Sequence, residues 1–575
     1  MRIRARLFAL LAVGGMVVTA CTGGGSSTAS NGKGSVGEGG LPRSETLYTS
    51  GTMWGPPANY NPLHNWDHAT GTKGLAYETL FHFDPQAGKL KPWLAESGEW
   101  KDDKTYEVKL RSGITWSDGK PLTAKDVVFS YEIGKLEAAS FHTLWDWLSE
   151  AEAVDDRTVR FGFEESRYQE WDFTLYGQPV VPEHVWGELS DEEVLNGVND
   201  KPVVSGAYKL RSHGQDRVVW ERRDDWWGVK ALGLKPAPKY IVDISNPSNE
   251  VVIGQIGQGQ LDLSNNFLPG AASMIKTGKA VSYYDGPPYM MSANTAWLVP
   301  NTTREPMDDA AFRRALAHSV DIDKIVKGVY GDLVRPADPT GLLPQWDKYV
   351  DKSLTSRSGF TFDTAKAKAL LKEAGYRDTD GDGLVENRNG GKLRLKLMVP
   401  SGWTDWMEAA KVVSESARNA GIDVSTEFPD QNALNDLRSK GEFDLVINNE
   451  RQLSSTPWTY YEYMFQLPVR EQQNTVNFGR YENEEAWKLV NELGGVRTDD
   501  EAGMKEAVSR IQAIQLEEMP VIPLWYNGLW SQSTTGTWTN WPSEKGDNHH
   551  APTLWRNWLE LGGFEALTGL RPAEK

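Results

Sequence analysis

The sequence is poor in cysteine, in positive charge and in long apolar runs. Its 575 residues include a single cysteine, which excludes an internal disulfide, a thiolate zinc site and an iron–sulfur cluster. There are 61 Lys and Arg against 79 Asp and Glu, without a local basic stripe, so we expect no nucleic-acid partner. Beyond the N-terminus no apolar run reaches the roughly 18 residues that a membrane-spanning helix needs.

The N-terminus itself has the pattern of an export signal. Three arginines precede an apolar run from Leu7 to Val18, which is typical of a signal peptide and short for a transmembrane helix. The run ends in Val-Thr-Ala-Cys, which resembles the bacterial lipobox. The resemblance implies that residues 1–20 are removed and that Cys21 becomes a lipid-modified N-terminus. Loss of residues 1–20 changes the formal charge from −18 to −21, because it removes three arginines and no acidic residue.

Residues 21–42 are rich in glycine and serine, and we predict that they form a flexible tether. After them, strand and helix patterns alternate, which indicates an α/β protein of about three or four folding units. Period-two alternation predicts strands over 105–110, 158–163 and 392–399. Asp363 is placed to cap a helix that Gly375 is placed to end, and a second helix is predicted from about Asp309.

The stretch from Gly74 to Glu132 resembles the signature of the extracytoplasmic solute-binding proteins of family 5, the receptors of ABC importers. We interpret this signature as scaffold. Similar matches recur along most of the remaining chain, at 204–210, 308–325, 374–376, 442–445 and 518–524.

The resemblance implies a two-lobed, periplasmic-binding-protein-like clamp of class II, cluster C type, with an extra domain inserted in the N-terminal lobe. We assign 43–85, 200–300 and 515–575 to lobe 1, 86–199 to the inserted domain and 301–514 to lobe 2. It also implies a monomer without catalytic activity or cofactor, held at the outer face of the cell membrane by its lipid alone. The permease and the ATPase would be separate chains.

The ligand is suggested by a departure from the peptide-binding members of the family. In those proteins an aspartate after a strand holds the peptide's α-amino group, and alignment puts Leu453 at that position. The strand EFDLVIN instead delivers Asn448, Asn449 and Glu450 to its C-terminal end. Amide groups both donate and accept hydrogen bonds, which suits neutral hydroxyls.

Aromatic residues are the second feature that indicates a sugar ligand, because a sugar ring stacks on an aromatic face. The sequence has 24 tryptophans. The segments GTMWGPPANYNP and STPWTYYEYMF resemble the cello-oligosaccharide and β-mannan-oligosaccharide binders of the family. We therefore predict a β-linked oligosaccharide ligand, bound by Trp54, Asn59, Trp66, Trp403, Trp406, Asn448, Asn449, Glu450 and Trp458. Most of the other tryptophans are expected to be structural, among them Trp93, Trp100, Trp116, Trp220, Trp226 and Trp227.

Two alternative functions remain open. One is an oligopeptide receptor of the same family, which Leu453 disfavours. The other is a secreted glycoside hydrolase with the same aromatic cleft, although nothing singles out two of the many carboxylates as a catalytic pair. The sequence has no Gly-x-Ser-x-Gly elbow, no His-Glu-x-x-His motif and no complete Walker A motif.

One acidic loop resembles part of a calcium site. Asp378, Asp380 and Asp382 occupy the first, third and fifth positions of an EF-hand loop. The twelfth position is Asn389, so the usual bidentate glutamate is missing. We interpret the loop as an acidic turn, with calcium binding as the alternative.

Overall fold

The computed structural model describes residues 40–574 except 51–54, 65–67, 247, 450, 452, 474 and 553–557. The predicted signal peptide, almost all of the tether, Cys21, Trp54, Trp66 and Glu450 lie outside the described residues. Within the described part of the chain, no helix is long and apolar enough to span a bilayer.

The strands are numbered along the chain. They are β1 (Thr46–Ser50), β2 (Phe81–Asp84), β3 (Lys89–Pro92), β4 (Ala95–Asp102), β5 (Thr105–Leu110), β6 (Leu148–Ala153), β7 (Thr158–Phe163), β8 (Tyr208–His213), β9 (Arg217–Arg222), β10 (Tyr240–Ile244), β11 (Leu263–Ser264), β12 (Ser292–Pro300), β13 (Arg335–Pro336), β14 (Leu395–Met398), β15 (Val424–Glu427), β16 (Leu445–Asn448), β17 (Ile522–Gly528), β18 (Gln532–Ser533), β19 (Trp538–Thr539) and β20 (Arg571–Pro572).

The helices are numbered in the same way. They are α1 (Ala124–Glu132), α2 (Tyr168–Gly177), α3 (Glu183–Trp186), α4 (Asp191–Asn196), α5 (Trp227–Ala231), α6 (Asn249–Gly257), α7 (Ala271–Lys276), α8 (Ala310–Ser319), α9 (Ile322–Lys324), α10 (Lys352–Ser358), α11 (Thr364–Glu373), α12 (Thr404–Asn419), α13 (Gln431–Lys440), α14 (Trp458–Phe465), α15 (Glu484–Gly494), α16 (Glu501–Glu518) and α17 (Gly563–Gly569).

The first six-stranded sheet has the order β18-β11-β1-β10-β9-β8. Strands β10 and β11 both run parallel to β1, so the three share one carboxyl edge, at Ser50, Ile244 and Ser264. Residues that follow such an edge are well placed to meet a ligand.

The second six-stranded sheet has the order β13-β17-β12-β16-β14-β15. Strand β14 is parallel to β15 and β16, and β12 is antiparallel to both β16 and β17. The carboxyl ends of β14, β15, β16 and β17 therefore lie at one edge. The chain returns from this sheet to the first through residues 529–531, between β17 and β18.

A four-stranded antiparallel sheet, in the order β4-β5-β7-β6, lies within the segment predicted as the inserted domain. The pairing also shows that β12 and β17 belong to the second large sheet, although both fall in segments assigned above to lobe 1. The domain boundaries stay a prediction.

The local predictions from capping and alternation are confirmed. Strands β5 and β7 have the predicted bounds, and β14 lies inside the predicted range 392–399. The Asp363 carboxylate accepts a hydrogen bond from the Lys366 N–H at the start of α11, and Asp309 caps α8 through the Ala311 N–H. Gly375, with φ of 95°, follows α11 in the left-handed conformation.

Five of the tryptophans expected to be structural are buried: Trp93, Trp116, Trp220, Trp226 and Trp227. Three of them surround one carboxylate. The indole N–H groups of Trp93, Trp226 and Trp227 donate to Glu78 at 2.9, 3.1 and 2.9 Å. Glu78 lies in the signature stretch, so this packing agrees with the interpretation of that stretch as scaffold.

Candidate ligand-binding site

Six aromatic side chains from distant parts of the chain form one cluster. We call Phe267, Tyr330, Trp403, Trp406, Trp525 and Trp530 the aromatic cluster. Tyr330 lies at its centre, with ring centroids 5.1 Å from Phe267, 5.3 Å from Trp525 and 6.2 Å from Trp530. The Tyr330 and Trp530 rings are nearly parallel, at an interplanar angle of 11°.

The cluster extends to two of the predicted tryptophans. Trp403 immediately precedes α12, and its ring makes a T-shaped contact with Trp406 at 4.9 Å. Trp406 in turn lies 6.2 Å from Trp525. Trp403 and Trp530 are half-buried, whereas Trp406 and Trp525 are buried. The structure thus brings Trp403 and Trp406 together with four aromatic residues that we did not predict.

Trp530 lies in the link between the two sheets, and its position depends on a glycine. A Cβ at Gly528 would come within 2.8 Å of the Trp530 ring. The absence of a side chain at Gly528 therefore lets the indole lie against the end of β17. The Trp530 carbonyl also accepts a hydrogen bond from the Asn265 side chain at 2.8 Å, which joins the link to the first sheet.

A chain of polar contacts runs through the same region and connects the two sheets. We call Asn266, Asn249 and Asp405 the polar bridge. The Asn266 amide donates to Asn249 Oδ1 at 3.2 Å, and the Asn249 amide donates to Asp405 Oδ1 at 3.3 Å. The Tyr330 hydroxyl donates to the other Asp405 oxygen at 3.2 Å. Asn266 and Asn249 follow strands of the first sheet, and Asp405 belongs to the helix after β14.

Three buried polar atoms in or beside these groups have no hydrogen-bond partner among the described residues. They are Asn266 Oδ1, Thr404 Oγ1 and Trp525 Nε1. Buried polar atoms in native proteins are nearly always paired, so each exception calls for an explanation. An amide oxygen accepts, an indole N–H donates and a hydroxyl does both. Together they match the hydroxyl groups of a neutral ligand.

Burial also raises the pKa of Asp405, the one carboxyl group of the polar bridge. Desolvation raises the pKa of Asp405 to about 6, against the hydrogen bonds from Tyr330, Asn249 and two backbone N–H groups, which lower it. Burial and the nearby Asp405 carboxylate raise the pKa of Tyr330 well above its usual value, so its hydroxyl stays protonated. The aromatic walls thus surround a single carboxylate whose charge is poorly solvated.

This pKa gives a prediction for stability. The folded state holds the Asp405 proton more tightly than the unfolded state, so the protein loses stability as the pH rises from about 4 through about 6. Asp405→Asn is neutral throughout. We expect its free energy of unfolding, relative to wild type, to rise by about 2–3 kcal/mol between pH 4 and pH 7.5.

Urea denaturation of both proteins at several pH values measures this difference. Asp436→Asn, at an exposed position of α13, is the control for loss of a charge alone. Stability curves for wild type and Asp405→Asn that stay parallel from pH 4 to pH 7.5 would contradict the prediction.

The structure gives other contacts for the remaining predicted binding residues that it describes. Asn448 is buried at the carboxyl end of β16, opposite Trp297 of β12, and Asn449 beside it is half-buried. The side chain of Asn59 accepts from the Asn61 N–H and contacts His64, within its own loop. Trp458 is buried at the start of α14, where a Cβ at Gly494 of α15 would lie 3.4 Å from its indole nitrogen. Their roles in binding stay predictions.

The residues missed by the sequence analysis had weak sequence signals. Phe267 and Tyr330 look like ordinary core residues, and Trp525 lies inside an apolar strand. A clearer signal was available from position, because Asn266 closely follows β11 and Trp530 closely follows β17. Polar and aromatic residues just after the carboxyl ends of strands in such sheets are candidates for ligand contacts.

The acidic loop has a converging set of oxygens. Carboxylate atoms of Asp378, Asp380, Asp382 and Glu386 lie within 4.8 Å of one another. Lys392 Nζ lies 2.9 Å from both Asp380 and Asp382, and Glu386 accepts hydrogen bonds from Thr379. These contacts are compatible with an acidic turn in which one lysine bonds to two of the four carboxylates. Calcium binding there stays a prediction.

Comparison with known proteins identifies the family. Residues 89–469 match the family model of bacterial extracellular solute-binding proteins, family 5. The chain belongs to this family of ABC-importer receptors, as the sequence resemblance had indicated. Proteins of this family are extracytoplasmic and bind solutes, and their two-lobed α/β fold agrees with the structure described above.

Individual relatives bind different ligands. A periplasmic oligopeptide-binding protein of an oligopeptide ABC transporter from Thermotoga maritima has been solved with bound mannohexaose. It is 40% identical, with a TM-score of 0.87, and the match covers 93% of this chain and 99% of that one. The oligopeptide-binding protein AppA from Bacillus subtilis is 26% identical over 90% of this chain and 92% of its own length.

Proposed function

We propose that this protein is the lipid-anchored receptor of an ABC importer and that it captures β-linked oligosaccharides of the cello or manno type. Lobe closure around the sugar would present it to a separate permease. The lipid on Cys21 would be the link to the membrane. No covalent chemistry is part of this function.

One observation carries the proposal, namely the juxtaposition of the aromatic cluster with the polar bridge. Sugar rings offer C–H faces that stack on aromatic rings, and a rim of hydroxyls that needs donors and acceptors. The cluster supplies the first, and the bridge with its neighbouring buried polar atoms supplies the second. The mannohexaose bound by the Thermotoga maritima relative adds support from a protein 40% identical to this one.

We propose Trp403 and Trp406 as stacking residues within this cluster. Trp54, Asn59, Trp66, Asn448, Asn449, Glu450 and Trp458 remain candidates from the sequence. Phe267, Tyr330, Trp525 and Trp530 join them on the geometry described above.

A second candidate function is oligopeptide binding. The relationship to AppA and the name of the Thermotoga maritima protein favour it. The residue aligned with the amine-binding aspartate weighs against it, because Leu453 is apolar and buried, and its backbone N–H donates to Ala293 O at 2.6 Å.

A thermal-shift screen of defined oligosaccharides and peptides distinguishes the two candidates, because a tight ligand raises the melting temperature by mass action. We expect mannohexaose or cellohexaose to raise it and a mixture of peptides to leave it unchanged. Stabilisation by peptides alone would overturn the proposal. Chromatography of cellohexaose after incubation tests the hydrolase alternative, since a receptor leaves the sugar intact.

Trp403→Ala tests the stacking role directly. We expect about a tenfold loss of affinity for the oligosaccharide, since a half-buried ring that stacks on a ligand contributes on the order of 1 kcal/mol. Isothermal titration calorimetry measures the affinity, and circular dichroism checks the fold. Unchanged affinity in a folded variant would remove Trp403 from the site.

A further inference from the structure

The aromatic cluster and the polar bridge contain a negatively charged side chain and no positively charged one. The side chains of the aromatic cluster and the polar bridge include one acid, Asp405, and no lysine, arginine or histidine. The main influences on the Asp405 carboxyl are burial and hydrogen bonds from Tyr330, Asn249 and backbone N–H groups, with no cation among them. Its negative charge is therefore not neutralised by a neighbouring cation of the site.

The surroundings strengthen the effect of that charge. Asp405 is 6% exposed and Asn249 is 2% exposed. Trp403 and Trp406 flank Asp405 in the sequence, and Tyr330 contacts it from the second sheet's side. Electrostatic interactions are much stronger in such a poorly solvated place than in water. A second negative charge brought close to Asp405 would meet repulsion without a compensating partner.

The hydroxyl groups of a neutral ligand would not be repelled by Asp405, and unpaired hydrogen-bonding groups are available to them. Asn266 Oδ1 accepts, Trp525 Nε1 donates and Thr404 Oγ1 does both, and all three are buried without a partner among the described residues. Asn266 and Asp405 both bond to Asn249, so the acceptor and the carboxylate belong to one network. Groups that donate and accept at once satisfy this mixed set without adding charge.

We propose that Asp405 makes the site selective for neutral oligosaccharides and excludes those whose sugar rings carry carboxylates. The inference rests on the proposed function, because it concerns which members of the oligosaccharide class are bound. It assigns Asp405 a role in specificity through repulsion, with Asn249 and Tyr330 holding the carboxylate in place.

A matched pair of ligands tests this inference. Mannohexaose and the β-1,4-linked hexamer of mannuronic acid share a backbone and differ in whether each ring carries a hydroxymethyl group or a carboxylate. We expect wild type at pH 7.5 to bind the acidic hexamer at least about 100-fold more weakly than mannohexaose, as like-charge juxtaposition implies. Isothermal titration calorimetry measures both affinities.

Two variants of Asp405 then test whether this residue causes the difference in affinity between the two hexamers. Asp405→Asn removes the charge and keeps the shape, and we expect it to reduce the difference to about tenfold or less. Asp405→Ser removes the same charge with a smaller polar side chain, so the test does not depend on one variant folding. Asp436→Asn, exposed on α13, removes a charge elsewhere on the protein and should keep the wild-type difference.

Each result is decisive. Equal binding of both hexamers by wild type, or an unchanged difference in a folded Asp405 variant, would overturn the inference while leaving an oligosaccharide receptor. Binding of neither mannohexaose nor cellohexaose by wild type would instead contradict the proposed function. A peptide that binds wild type and is lost in Asp405→Asn would show that Asp405 holds an ammonium group, and would overturn both.

Discussion

Replacing Glu78 by alanine should lower the free energy of unfolding by about 5 kcal/mol, because three buried indole N–H groups lose their shared acceptor at once. Trp93, Trp226 and Trp227 all donate to this carboxylate, and Glu78 is 1% exposed. Each buried donor left without a partner costs about 1–3 kcal/mol, and the cavity adds to this cost. Urea denaturation followed by tryptophan fluorescence measures the loss.

Two controls separate the hydrogen bonds from other effects. Glu78→Gln keeps one acceptor oxygen, so we expect a loss between those of wild type and alanine. Glu506→Ala removes an exposed carboxylate from α16 and should change the stability by less than about 0.5 kcal/mol. If Glu78→Ala and Glu506→Ala unfold at the same urea concentration, the carboxylate does not organise the three tryptophans as described.

Replacing Trp530 by alanine should weaken oligosaccharide binding by about 100-fold, the largest effect that we expect for a single aromatic residue of the cluster. Its ring is stacked with Tyr330 and contacts Phe267, which lies on the first sheet's side. Loss of the indole would remove a stacking surface and loosen the packing of both neighbours. Calorimetry with mannohexaose, or with whichever sugar the screen identifies, provides the measurement.

Trp145→Ala is a matched control for this variant, since Trp145 is also half-buried but lies near the four-stranded sheet, where it donates to the Tyr131 carbonyl. It should bind sugar as wild type does. Equal affinity of Trp530→Ala and Trp145→Ala, with both variants folded, would place the ligand away from the aromatic cluster.

Local patterns predicted individual elements well and the assembly of the sheets poorly. The helix from Asp363 was recognisable from its capping side chain and apolar stripe, and the helix from about Asp309 from its apolar stripe, because both signals act within one or two turns. Strand β12 was not predicted, because it is buried along its whole length and shows no alternation of apolar and polar residues. Its pairing with β16 and β17 depends on residues about 150 and 230 positions away.

The residues of the candidate site were likewise only partly predictable from local patterns. Trp403 and Trp406 stood out because they occur beside a glycine and in a loop-like context, where ligands are often met. Tyr330 and Phe267 did not stand out, since nothing local separates a buried aromatic residue of the core from one beside a ligand. Asp405 was passed over as one acid among many, and its burial and its bond to Asn249 appear only in the folded chain.

The sequence by itself determined the membership of the solute-binding family, the helices from Asp309 and Asp363 and the alternating strands, and it predicts the export signal, because each depends on residues close together in the chain. Only the tertiary structure decided that Phe267, Tyr330, Trp403 and Trp530 meet, and that one uncompensated carboxylate lies among them. Contacts of that kind join side chains that are far apart in the sequence, and their packing depends on shape and burial across hundreds of residues.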